Sequence, residues 1–202
     1  ANVQLIDCVG YIIPNANGYE DENGNPRMVM TPWFSEPIPF VEAAEVGTEK
    51  VIRDHSTIGI VVTTDGSIGE LKRADYIEAE AKVVNELKSI GKPFIVILNT
   101  KNPRSDETLK LTNELIKQYD VPVIPLSVLD MRTEDINEVL KTALYEYPVL
   151  DIKFSIPEWV HILDNKNDIK KHYLELIKNC VGDIKKVKDV DNLLKYFEDS
   201  KY

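Results

Sequence analysis

Four short apolar runs constrain this chain more than anything else in it: Val3 to Asp7, Thr57 to Thr63, Pro93 to Asn99 and Val121 to Ser127. Each is nearly continuous in apolar side chains and rich in Val and Ile. Strands covered on both faces of a parallel sheet read this way. Helical periodicity fills the gaps between them. From Val41 the positions Ala44, Val51 and Ile52 suggest a helix ending near His55. Ile77, Ala81, Val84 and Leu87 form a second stripe, closed by Gly91 and Pro93. Leu109, Thr112, Ile116 and Tyr119 form a third, entered through Ser105 or Asp106. Ile136, Val139, Leu140, Ala143, Leu144 and Tyr147 form a fourth, entered through Thr133 and stopped by Pro148.

Strict alternation of strand and helix implies right-handed crossovers and an α/β fold whose mainly parallel sheet carries helices on both faces. Ligands of such sheets bind beyond the carboxyl ends of the strands. Function is therefore expected at Asp7 to Gly10, Thr63 to Gly66, Asn99 to Asn102 and Ser127 to Asp130.

After Pro148 the texture changes. Val149 to Ile156 suits a strand, and Ile169 to Ile184 a long amphipathic helix. Val190, Leu193, Leu194 and Phe197 continue that stripe after a break at Gly182-Asp183. The expected division is a partial nucleotide-binding domain over 1–148 and the start of a mostly helical segment over 149–202.

Composition narrows the function classes. The net charge is −10, and the part after Leu150 is about neutral, so the excess acid lies before it. An acidic domain repels phosphate backbones, which argues against a nucleic-acid partner. No apolar stretch reaches the roughly 18 residues of a transmembrane helix. The start at Ala1 has no Met, no basic region and no apolar signal core, so a fragment is expected. Cys8 and Cys180 lie far apart in no metal-ligand spacing. Reduced thiols in a cytosol fit that, with Cys8 expected as a small buried filler. His55, His161 and His172 are scattered and form no catalytic constellation.

Leu5-Ile6-Asp7-Cys8-Val9-Gly10 reads as a strand ending in D-x-x-G. In GTPase-like P-loop NTPases this Asp holds the Mg²⁺ shell, usually through water, and the Gly N–H reaches the γ-phosphate. Magnesium needs hard oxygen ligands. Close backbone approach needs glycine. An ordinary strand-end turn also fits the four residues. The Asn- and Gly-rich segment Tyr11 to Phe40 follows, either a solvated loop or a nucleotide-responsive switch. Its Glu20-Asp21-Glu22 run could bind a cation, although such an acidic loop is usually a solvated face.

Asn99-Thr100-Lys101-Asn102 stands where such domains carry the base-reading N-K-x-D. Asn99 matches. Thr100 replaces the Lys and Asn102 the Asp. An Asp reads guanine with two acceptor oxygens, which an amide cannot offer. An amide can pair with an adenine edge, so ATP becomes the expected nucleotide. Ser127 ends the last strand where a loop passes beneath the base. Thr63 to Ser67 reads as a simple Asp-Gly turn. The phosphate-cradling G-x-x-x-x-G-K-[ST] motif is absent from the 202 residues, and such a loop is expected upstream of Ala1.

The element order resembles the GTPase-like branch of P-loop NTPases, a three-layer fold lacking its first strand and phosphate-binding loop. Longer strings resemble the stage IV sporulation protein A family: Asp7 to Tyr11, Gly18 to Gly24, Thr31-Pro32-Trp33, Glu36 to Phe40, His55 to Gly59, Thr63 to Gly66, Asp75 to Glu80 and Ala143 to Leu150. The resemblance implies a cytoskeletal ATPase that polymerises, as the base layer of the spore coat, on the outer surface of the developing spore in the mother-cell cytoplasm. It implies ATP and Mg²⁺ as cofactors, with Asp7 and Gly10 in catalysis, Asp7 linked to the metal, and Asn99, Asn102 and Ser127 at the nucleotide. The implied partners are further copies of itself, a small amphipathic membrane-anchoring peptide and other coat proteins. A GTP-binding signalling switch of the same fold remains the alternative, and a scaffold without nucleotide a third.

Overall fold

Phe94 to Leu98 are five consecutive apolar residues, each no more than 4% exposed. They form the middle strand of a three-stranded parallel sheet in a computed structural model that describes residues 3–193. The chain order begins with a two-residue pair, β1 (Met28–Val29) and β2 (Ile38–Pro39), antiparallel to each other. Then come α1 (Phe40–Lys50), β3 (Gly59–Thr64), α2 (Arg73–Ile90), β4 (Phe94–Asn99), α3 (Asp106–Tyr119), β5 (Val123–Leu126) and α4 (Thr133–Tyr145). The sheet order is β3-β4-β5, with Thr64 beside Asn99 and Asn99 beside Leu126. All three strands therefore end at one edge, and the loops that carry chemistry leave from it.

Two cores hold the layers. Val61, Val96, Leu98 and Val123 pack with Val84 and Leu87 of α2 and Leu115 and Tyr119 of α3 on one face. Ile95, Ile97 and Leu126 pack with Val139 and Ala143 of α4 on the other. The helix ends follow local chemistry. Gly91 takes the left-handed conformation that closes α2 (φ 72°), and the Ser105 hydroxyl accepts the Thr108 N–H at the start of α3. After α1 the chain widens into one π-helical turn, Val51–His55, as expected for a helix ending near His55.

Three expectations are corrected. Val3 to Asp7 forms no strand: Val3 is 62% and Leu5 80% exposed, and no ladder pairs them. Among the described residues the outer edge of β3 stays open instead, beside a groove of about 370 Å³ that Ile6 to Tyr11 also line. Val149 to Ile156 forms no strand either: among the described residues the single bridge between Pro148 and Lys186 is the pairing there. The helix stripes hold at Val84, Leu87, Thr112, Tyr119, Val139 and Ala143, which are buried, and fail at other positions. Ile77, Leu109, Ile116, Ile136 and Leu144 are exposed, while Glu80, Thr108 and Leu115 turn inward.

The chain divides into two units, residues 1–143 and 144–202. The second contains α5 (Glu158–Ile162), α6 (Asp168–Asp183) and a 3-10 turn over Val187–Asn192. Within it Glu146, 3% exposed, takes ion pairs from Lys186 at 2.5 Å and Lys188 at 2.8 Å. The Val187 N–H donates to the Tyr147 carbonyl, and the Val149 N–H to that of Lys185. Leu194 and Phe197, assigned above to the last stripe, lie outside the described residues.

Candidate functional site

The three carboxyl-end loops are tied into one unit by short polar side chains. The Thr100 hydroxyl, fully buried, donates to the Asp65 carboxylate at 2.5 Å and accepts the Asn102 N–H at 3.1 Å. The other Asp65 oxygen accepts the Ser67 N–H at 2.8 Å, and the Ser67 hydroxyl accepts the Lys101 N–H at 3.0 Å. The Asn99 side-chain oxygen accepts the Val128 N–H at 3.0 Å, and the Ser127 hydroxyl donates to Asp130 at 2.7 Å. Burial raises the Asp65 carboxyl, but the hydrogen bonds from Ser67, Thr100 and Thr64 outweigh it and hold the group below its ordinary value.

Gly66 turns this corner at φ +87°. A Cβ there would lie 2.6 Å from the Arg73 backbone nitrogen, so glycine is required both for the angle and for the space. Thr63 to Ser67 is thus an Asp-Gly turn, as read from the sequence, and its carboxylate is also the hub of the strand-end loops.

Asn99, Asn102 and Ser127 come to the same edge, as expected. Asn99 spends its oxygen on positioning the loop after β5, which leaves its NH₂ for other contacts. Asn102 is exposed and lines a pocket of about 420 Å³ with Lys101 and Arg104. Ser127 lines a neighbouring groove of about 520 Å³ with Lys101, Arg104, Asp130 and Glu138. The rim therefore combines two cations with three carboxylates, Asp135 being the third, around apolar Leu126 and Pro125.

Asp7 and Gly10 line a different groove, along the open edge of β3 and beside α1 and α2. Asp7 is exposed. Gly10 has φ +80°, with nothing within 4 Å of a Cβ, so the left-handed turn rather than crowding demands glycine. Cys8, expected in the interior, is exposed: with no strand formed at 3–7, its side chain has no sheet face to enter. Within Tyr11 to Phe40 the acidic run is organised as a turn. Asp21 accepts the N–H groups of Asn25 and Asn23 at 2.9 and 2.8 Å, which lower its carboxyl.

Sequence reasoning missed Arg73 and Glu80. Arg73 pairs with both Glu80 oxygens at 2.6 and 2.8 Å and reaches the Thr63 hydroxyl at 3.1 Å. It thereby fastens the start of α2 to the end of β3. The only trace in the sequence is their seven-residue spacing, which puts both on one helix face.

No group of three or more His, Cys, Asp or Glu among the described residues is arranged to hold a metal. Asp7 alone offers one exposed carboxylate. That fits Mg²⁺, which takes one or two carboxylates and completes its shell with water and substrate phosphates.

Comparison with known proteins places these features in a family. The family description "Stage IV sporulation protein A, ATPase domain" matches residues 1–148, and "Stage IV sporulation protein A, middle domain" matches residues 149–202. The chain is 54% identical over 196 residues to the stage IV sporulation protein A of Bacillus anthracis, covering 97% of this chain and 40% of the relative. It is 51% identical over 201 residues to that of Bacillus subtilis (strain 168), covering 100% and 41%. It is 45% identical over 200 residues to that of Clostridioides difficile (strain 630), covering 99% and 40%. The chain thus spans about two fifths of these curated relatives. No solved structure matches it.

Proposed function

The chain belongs to the stage IV sporulation protein A family, and from that premise we propose that it is the downstream part of an ATP-hydrolysing domain, followed by the opening of a middle domain. The observation that carries the reading is the D-x-x-G turn: an exposed carboxylate at Asp7, three residues before a left-handed Gly10, along an unpaired parallel strand edge. That edge suits the strand of an upstream phosphate-binding loop. Asp7 would anchor the Mg²⁺ shell, and the ion would supply charge neutralisation at the transferred phosphoryl group. Asn99 and Asn102 would face the base, with Ser127 beneath it.

In this reading the whole protein polymerises into the basement layer of the spore coat at the forespore surface. A small amphipathic peptide anchors it and other coat proteins build on it. No helix among the described residues is long and apolar enough to cross a membrane. The test is titration of the full-length protein with ATP and GTP in Mg²⁺. Preference for ATP supports the proposal. Preference for GTP supports the signalling-switch alternative, and binding of neither supports a scaffold.

A further inference from the structure

Gly10 does not present its N–H to open solvent. It donates to the Thr48 hydroxyl at 3.0 Å, and Thr48, on α1, is 1% exposed. The residues that follow are fastened to helices as well. The Tyr11 ring lies 4.7 Å from the Lys82 ammonium, itself paired with Glu45 at 2.5 Å. The Asn15 amide donates to Asp75 at 2.9 Å. The D-x-x-G turn is therefore docked on α1 and α2, with the Thr48 hydroxyl on its one glycine N–H. The helix widens into a π turn three residues later, a distortion that recurs at functional positions.

We propose that Thr48 is a positioning residue that holds the Gly10 N–H in a docked state which a γ-phosphate must displace. The inference rests on the proposed nucleotide role of Gly10. A backbone N–H has one proton to give. Whatever oxygen takes it from Thr48 leaves that buried hydroxyl without its donor, and the exchange costs part of the binding free energy of ATP. ADP has no γ-phosphate and does not incur the cost. Thr48 thereby lowers the preference for ATP over ADP and couples the terminal phosphate to α1.

The first test is amide hydrogen exchange at Gly10 in the 202-residue chain, for the wild type, Thr48→Val and Thr48→Ser. Valine keeps the shape and removes the acceptor, whereas serine keeps the acceptor. Exchange at Gly10 is expected to quicken about fivefold in Thr48→Val, to stay near wild type in Thr48→Ser, and to be unchanged at Val96 of β4 in both. Thr48→Ala serves if valine does not fit. Wild-type exchange at Gly10 in the acceptor-less variants overturns the proposal. The second test is the ratio of ATP to ADP affinity in the full-length protein, expected to rise severalfold in Thr48→Val alone. A merely structural Thr48 would move both affinities together or neither. An unchanged ratio in a protein that binds nucleotide overturns the inference and leaves the proposed function standing. No nucleotide binding by the wild type overturns both.

Discussion

Tyr119 at the end of α3 donates its phenolic hydroxyl to Glu80 of α2 at 2.7 Å, inside the core and 39 residues away in the chain. With Arg73 on the same carboxylate, the contact locks two helices to one another and to the end of β3. Burial favours the neutral acid at Glu80, but the bonds from Arg73, Thr63 and Tyr119 prevail and hold the carboxyl below its ordinary 4.5. The same contact and burial raise the Tyr119 phenol.

Glu80→Gln should therefore destabilise the domain by about 2 kcal/mol near neutral pH, a buried-pair loss discounted because Arg73 is partly exposed. Tyr119→Phe should cost about 1.5 kcal/mol. The folded pKa of Glu80 lies below its unfolded value, so its contribution is full above 4.5 and is lost as pH falls through the folded value. Urea unfolding at neutral pH and at about pH 3 should show the gap between wild type and Glu80→Gln shrinking in acid. A gap independent of pH would contradict the assignment.

Gly66→Ala and Gly91→Ala should differ although both glycines are left-handed. At Gly91 a methyl meets nothing within 4 Å, so only backbone strain of about 1 kcal/mol is expected. At Gly66 it meets the Arg73 backbone at 2.6 Å, raising the loss to about 3 kcal/mol. Thermal melting of the two variants checks the order, and equal losses would show that the Asp65 corner yields.

Asp7→Ala in the full-length protein should abolish ATP turnover, by at least about a hundredfold, and sedimentable polymer with it. The exposed side chain packs against little, so Tm should stay within about 2 °C. Turnover, sedimentation and melting on one preparation decide it. Retained turnover with a lowered Tm would make Asp7 structural.

The 202-residue chain by itself should turn over no ATP above a matched control, since it carries no G-x-x-x-x-G-K-[ST] loop. Steady turnover would place the phosphate contacts within residues already present.

The three-layer plan was legible because central strands such as Phe94 to Leu98 and stops such as Gly91 carry their structural reason locally. Val3 to Asp7 misled for the complementary reason. An apolar run states a capacity to pair, and pairing needs a neighbour. The helix stripes missed Glu80, a charge that periodicity assigns to solvent and that Arg73 of α2, Thr63 of β3 and Tyr119 of α3 make tolerable inside. At the candidate site Asn99, Asn102 and Ser127 could be placed on one edge from strand order alone. The hub at Asp65 could not, because its partner Thr100 lies 35 residues on.

The lysine clamp on Glu146 bears on how the chain can be dissected. A polypeptide ended after Pro148, where the first family match stops, would keep the carboxylate and discard both ammonium groups that neutralise it. It would also give up the backbone bond that the Tyr147 carbonyl accepts from the Val187 N–H. A cut after Tyr145, the last residue of α4, leaves that set whole on the downstream piece and the helix whole on the other. For anyone expressing the two parts separately, the safer scissors fall three residues before the end of that match.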